Sequence, residues 1–267
     1  MKAGIMQAGI ALSRETHAFP VKALLVGMTL LITASGTLLA GGAQEAIMEG
    51  NALYEQAKYA EAARKYRAAL EIDPLDAAAH YDLGNAHYRG GSLGRAIASY
   101  QRAFDLSPRD ADIRHNLDLA LKRAGESLIP PGMPKAVFIL FNLLSRTELP
   151  ALHWLGFWSF LLLASAALLK EGLRPALRPY LGAAGALWLC AGAWWGLRTL
   201  TGEAHPGVIL AAEAEVRSGP GLRNPVSFKA PEGRRVSILG EKDGWLEIGV
   251  LKEGLKGWLP AGQVEHI

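Results

Sequence analysis

The sequence predicts a multidomain membrane protein: an all-α helical-repeat solenoid, a two-helix transmembrane hairpin and a C-terminal all-β barrel. Three observations carry this prediction. Residues 43–110 repeat themselves with a 34-residue period. Two uncharged apolar runs, Leu149–Leu169 and Tyr180–Leu197, flank one short basic loop. From His205 onward, short alternating stretches are separated by turn signals.

The totals narrow the function. At 267 residues two domains are expected, and half of the residues are hydrophobic but gathered into runs. A net charge of +3 is too small to argue for nucleic acid as a partner. The single cysteine, Cys190, lies inside the second apolar run, so no intrachain disulfide can form and the thiol reads as a small apolar filler. Neither CxxC, HExxH nor any metal-ligand spacing occurs, and no metal or cofactor is expected. The seven histidines are scattered without a converging acid, base or nucleophile, so no catalytic site is expected.

Residues 1–43 read as a signal peptide or signal anchor. Lys2, Arg14 and Lys22 precede the uncharged stretch Ala23–Ala40, and small residues Ala40-Gly41-Gly42-Ala43 follow. Either form would export what comes next.

Residues 44–124 form the repeat domain. Gly50 recurs as Gly84, Asn51 as Asn85, Ala62 as Ala96, Tyr66 as Tyr100, Ala69 as Ala103 and Pro74 as Pro108. Small residues belong where paired helices cross, tyrosines fill the gap between adjacent repeats, and the prolines stop each second helix. Ala111–Ala124, with Ile113, Leu117 and Leu121 at helical spacing, reads as a terminal cap. This pattern resembles the tetratricopeptide repeat. The resemblance implies a concave face that takes an extended peptide or helix, here carrying Asn51, Tyr54, Tyr81, Asn85, Tyr88, His115, Asn116 and Lys122. Asn85 and Asn116 fall where that family places amides on a peptide backbone, since an amide both donates and accepts.

Residues 125–148 are a breaker-rich linker followed by a short apolar segment, Ala136–Ser145, too short to span a bilayer and suited to an interfacial helix. Residues 149–169 and 180–200 are the expected transmembrane helices, since a core of about 30 Å needs roughly 20 apolar residues. The loop 170–179 carries Lys170, Arg174 and Arg178 against Glu171, which places it in the cytoplasm. Trp154, Trp158, Trp194 and Trp195 then share the opposite membrane face as an aromatic belt. Gly192 and Gly196 form a G-x-x-x-G pair suited to close helix packing, within the hairpin or against another membrane subunit.

Residues 201–267 give five short strands with turns at Ser218–Gly221, Pro231–Gly233, Lys242–Gly244 and Lys252–Gly254. The words Val216-Arg-Ser-Gly-Pro-Gly, Asp243-Gly-Trp-Leu-Glu-Ile and Lys256-Gly-Trp-Leu-Pro resemble the bacterial SH3-like family. Trp245 and Trp258 are its candidate contacts for a peptide or a cell-wall fragment, if they are not spent in packing the barrel.

The order of signal, tetratricopeptide repeats, two membrane helices and SH3-like module resembles the BatE-type proteins of bacterial aerotolerance operons. That resemblance implies a multi-pass inner-membrane protein with both soluble modules in the periplasm. It also implies von Willebrand factor A-domain membrane proteins and a MoxR-type ATPase as partners. A non-catalytic scaffold is the first expectation, and a peptidoglycan-peptide sensor the second.

Overall fold

The computed structural model describes residues 41–201, 205–250 and 253–267. The expected leader at 1–43 falls, apart from its last three residues, outside the described residues.

The repeat domain is built from five helices: α1 (residues 41–55), α2 (Tyr59–Ile72), α3 (Ala77–Arg89), α4 (Leu93–Leu106) and α5 (Ala111–Arg123). The 34-residue period reappears as repeated geometry. The Tyr66 hydroxyl donates to Asn51 Oδ1 at 2.7 Å, and one period later the Tyr100 hydroxyl donates to Asn85 Oδ1 at 2.7 Å. Each tyrosine ring lies over the glycine of its own repeat: a Cβ on Gly84 would sit 2.5 Å from the Tyr100 ring, and one on Gly50 2.7 Å from Tyr66. The tyrosines therefore fill the crossing inside each repeat, and each also shares a core cluster with the next repeat's first helix, Tyr66 with Ala79 and Leu83 and Tyr100 with Ile113 and Leu117. Asp76 and Asp110, again 34 apart, cap α3 and α5 by accepting from the second and third amides beyond them. The turns after α1, α3 and α5 each hold a left-handed residue, Ala57, Gly91 and Gly125. Helix α5 is thus the first helix of a third repeat whose second helix never forms. Instead the chain leaves along 126–134, with Leu128 buried in the repeat core.

Helices α6 (Lys135–Phe141), α7 (Glu148–Leu169) and α8 (Arg174–Thr201) follow. Among the described residues only α7 is long and apolar enough to cross a membrane. The second apolar run lies within α8, whose hydropathy is diluted by Gly182, Gly185, Gly192, Gly196 and three tryptophans. The two helices pack antiparallel, with Phe160 against Gly185, Gly156 against Trp188 and His153 against Gly192. The loop expected over 170–179 is much shorter, because α8 already begins at Arg174. Pro175 occupies its first turn, where a missing N–H removes no bond. Pro179 sits inside the helix, where only one ladder bond is lost.

The C-terminal module is one antiparallel sheet of seven strands: β1 (Pro206–Ile209), β2 (Glu213–Arg217), β3 (Val226–Pro231), β4 (Arg235–Lys242), β5 (Trp245–Val250), β6 (Leu255–Pro260) and β7 (Val264–His266), in the order β3-β2-β6-β5-β4-β1-β7. Five strands were expected; β3 and β7 are the additions. Ala230 near one edge and Val264 near the other share a single core with Val216, Ile248 and Leu259, so the open sheet is coiled about that core. Asp243 and Gly244, both with positive φ, close the tight β4–β5 hairpin between paired Lys242 and Trp245.

From Gly42 to Ile267 the chain is one compact unit. The sheet docks on the repeats. Val208 of β1 is fully buried in the repeat core beside Ile97 and Leu117. Gly233 lies against Ile97 and Ala124, and the α4 backbone at Gly94 meets the Ile209 carbonyl. Glu232 accepts from the Gly94 amide at 2.9 Å, giving α4 the side-chain cap that Ser92 does not supply. Arg102 bonds Glu265 at 2.6 Å and also donates to the His266 carbonyl, while Arg235 donates to the Ser127 carbonyl at 2.8 Å. The sheet thus closes apolar surface that further repeats would otherwise cover.

Candidate functional site: the repeat groove and the outer sheet face

The first helices of the repeats, α1, α3 and α5, bring Tyr54, Asn85, Tyr88, Arg89, Asn116 and Leu119 around a cavity of about 170 Å³, with Tyr100 behind it. Successive residues share this face because positions three and four apart stack on a helix. The amides are engaged with the protein itself. Asn85 Oδ1 accepts from both Tyr100 and Asn116, the latter at 3.2 Å, and the Asn116 amide also donates to the Tyr81 hydroxyl at 2.8 Å. Burial raises the Asp82 carboxyl, helped by Asp76 and opposed by a hydrogen bond from Asn85. The Asn116 carbonyl oxygen has no hydrogen-bond partner among the described residues and remains for a ligand.

Aromatic and cationic groups complete the groove. Tyr54 and Tyr59 meet edge to face at 5.3 Å, and Arg89 donates to the Tyr59 hydroxyl at 3.1 Å while lying over its ring. Arg123 lies 5.5 Å over Tyr88. Burial raises the phenols of Tyr54 and Tyr81, so both stay neutral donors at physiological pH. The groove therefore offers phenol hydroxyls, one carbonyl, two guanidiniums and flat ring surfaces. That set suits an extended peptide with polar backbone and apolar side chains.

The expected groove residues divide. Tyr54, Asn85, Tyr88 and Asn116 line the cavity. Tyr81 stands behind Asn116 as its partner. Asn51 is held by Tyr66 and does not line the cavity. His115 is exposed outside it, and Lys122 is paired with Asp118 at 2.6 Å. Arg89 and Leu119 were missed. Both were accessible from helical spacing, being four residues beyond Asn85 and three beyond Asn116.

On the sheet, Trp245 and Trp258 are both half-buried. The core takes the alternate residues Leu246, Ile248 and Leu259, so the tryptophans point to the outer face. Trp258 pairs with Glu247 and with Arg217, and Trp245 with Lys242 and Pro260. This is an aromatic face rimmed by charges of both signs. In the helix pair Gly192 packs on His153, whereas nothing lies within 4 Å of a Cβ on Gly196. At Gly156 the two backbones come close, since a Cβ there would sit 2.8 Å from the Trp188 backbone nitrogen.

Comparison with known families agrees with both modules. Residues 47–111 match a tetratricopeptide repeat model, and residues 212–265 match a bacterial SH3 domain model. No curated protein matches the chain. Repeat and SH3 modules of these kinds serve protein–protein interaction, and the latter sometimes peptidoglycan binding.

Proposed function

We propose that the chain is a non-catalytic inner-membrane scaffold of the BatE type, whose repeats and SH3-like module form one periplasmic platform. The observation that carries this reading is the docking of the sheet on α4. Two modules in contact lie on the same side of any bilayer, yet α6, α7 and α8 intervene between them. If α7 crosses, α8 must cross back, and the basic end formed by Lys170 in the turn and Arg174 and Arg178 in the start of α8 becomes the cytoplasmic end. The groove then faces the periplasm and takes an extended segment of a partner, for which the A-domain membrane proteins and the ATPase system are the candidates. Purification of the tagged full-length protein from its host in mild detergent, followed by mass spectrometry, tests this. Recovery of those partners by the wild type and their loss in Tyr88→Ala supports the scaffold; recovery of the protein alone refutes it.

A second reading rests on the outward tryptophans: the sheet face binds peptidoglycan peptide. Co-sedimentation with isolated sacculi, lost in Trp245→Ala, would favour it.

A further inference from the structure

A second, larger cavity of about 830 Å³ lies where the repeats, the linker, α6 and the helix pair converge. Its walls are of two kinds. One is apolar and aromatic, including Phe138, Phe141, Met133 and Leu197. The other is cationic: Arg146, Arg198 and Arg235 line it, against the single carboxylate Asp105. That carboxylate is already committed, with Arg146 Nε at 3.2 Å and the Gln101 amide at 3.1 Å. Arg198 has no carboxylate of its own; it donates to the Leu144 carbonyl at 2.7 Å and lies over the Phe141 ring. Arg235 donates to the Ser127 carbonyl and is also paired with Glu126, at 3.9 Å. With Arg146 paired to Asp105 and Arg235 to Glu126, the lining keeps one cation in excess among the described residues, Arg198, beside an apolar slot, at a volume typical of small-molecule sites.

Its position identifies the occupant. The cavity opens at the start of α7 and the end of α8, with Pro150 and Trp195 in its wall. At its mouth α6 exposes Val137, Ile139 and Leu140. Exposed apolar residues on a short helix beside a long apolar helix mark the level where acyl chains meet headgroups. We propose that this cavity holds one anionic phospholipid, its phosphate on Arg198 and Arg146 and an acyl chain along Phe138, Phe141 and Leu197. Arginine suits a phosphate because its fork donates two parallel bonds. The lipid would fasten the docked platform to the outer leaflet. This inference rests on the hairpin reading above, because the acyl chains must reach the cavity from a bilayer.

The test uses the full-length protein in mild non-ionic detergent, titrated with phosphatidylglycerol or phosphatidylcholine of equal chain length and read by native mass spectrometry. Retention of phosphatidylglycerol at least tenfold above phosphatidylcholine is expected, with a fall of about tenfold in Arg198→Gln, the effect of losing one charge-assisted bond. Val137→Asp, at an exposed position, should lower retention as well without disturbing a buried contact. Lys170→Gln, at the other end of the helix pair, should not. Equal retention of both lipids, or no change in either cavity variant, overturns the proposal, as does equal binding of glycerol phosphate without acyl chains. Alkaline extraction of membranes tests the hairpin separately: a protein that stays in the bilayer yet shows no lipid preference refutes the cavity and leaves the hairpin standing.

Discussion

Gly94→Ala sets two effects of opposite sign against each other. Gly94 is the second residue of α4, and alanine there gains up to about 1 kcal/mol of helix propensity over glycine. The added methyl would overlap the Ile209 carbonyl oxygen and lie 3.2 Å from its carbonyl carbon. Both are backbone atoms, and that carbonyl also accepts from Gly233 N at 2.8 Å, so it cannot swing aside without opening the turn at Gly233. Overpacking of this kind costs about 1–3 kcal/mol. The propensity gain applies to α4 whether or not the sheet is docked, so the whole steric cost falls on the docking equilibrium. Undocking should therefore become roughly 5- to 150-fold more populated, at 1.4 kcal/mol per tenfold. Hydrogen exchange of the full-length protein reads this at the first-turn amides of α4, where only the bond to Glu232 protects residue 94. Their exchange should accelerate by that factor while the interior of α3 stays protected. Unchanged exchange with a raised melting temperature would mean that propensity alone acts and that the interface is not load-sharing.

Gly84→Ala should destabilise the repeats by about 1–3 kcal/mol in thermal unfolding, because its methyl would sit 2.5 Å from the Tyr100 ring and displace the hydroxyl from Asn85. Ala57→Gly should stabilise by up to about 1 kcal/mol, since Ala57 holds φ 58° at the position where its counterparts are Gly91 and Gly125. Acid should loosen the repeats through His87. Burial, then Arg67 and Arg95, holds its imidazole down to about 4 against an ordinary 6.5. The unfolded chain binds the proton first, so this contribution is complete above pH 6.5 and is lost as pH falls toward 4, at most about 3 kcal/mol. His87→Gln should flatten that part of the denaturation profile, and a slope identical to wild type would contradict it. His80, also lowered by burial, adds in the same direction.

The 34-residue spacing made the helix pairs legible, because the Gly50–Tyr66 and Gly84–Tyr100 contacts are local enough to recur in sequence. The Asp243-Gly244 hairpin was legible for the same reason: its two residues determine the turn by themselves. Strand β3 was not, because within an edge strand only Ala230 is fully buried and the alternation fades. The start of α8 lies earlier than expected because the helix was bounded by its uncharged run, whereas Arg174 and Arg178 belong to the helix as well. In the groove, residue type singled out Asn85 and Asn116, but their binding to each other and to the tyrosines depends on three helices meeting. The docked sheet was wholly hidden. Glu232 lies 138 residues from the Gly94 amide it caps, and it reads locally as part of a turn. Val208 reads as an ordinary strand residue, and nothing in its neighbourhood says that it completes the core of another module.

Substituted-cysteine labelling in intact spheroplasts tests the single-platform account most directly. With Cys190 replaced by alanine, single cysteines are placed at His115 beside the groove, at Lys242 on the sheet and at Gly172 in the turn between α7 and α8, which lies in open space. The account predicts that a membrane-impermeant thiol reagent reaches the first two from outside and reaches Gly172→Cys only after lysis. Labelling of His115→Cys and Lys242→Cys from opposite sides would contradict it, because modules separated by a bilayer cannot dock.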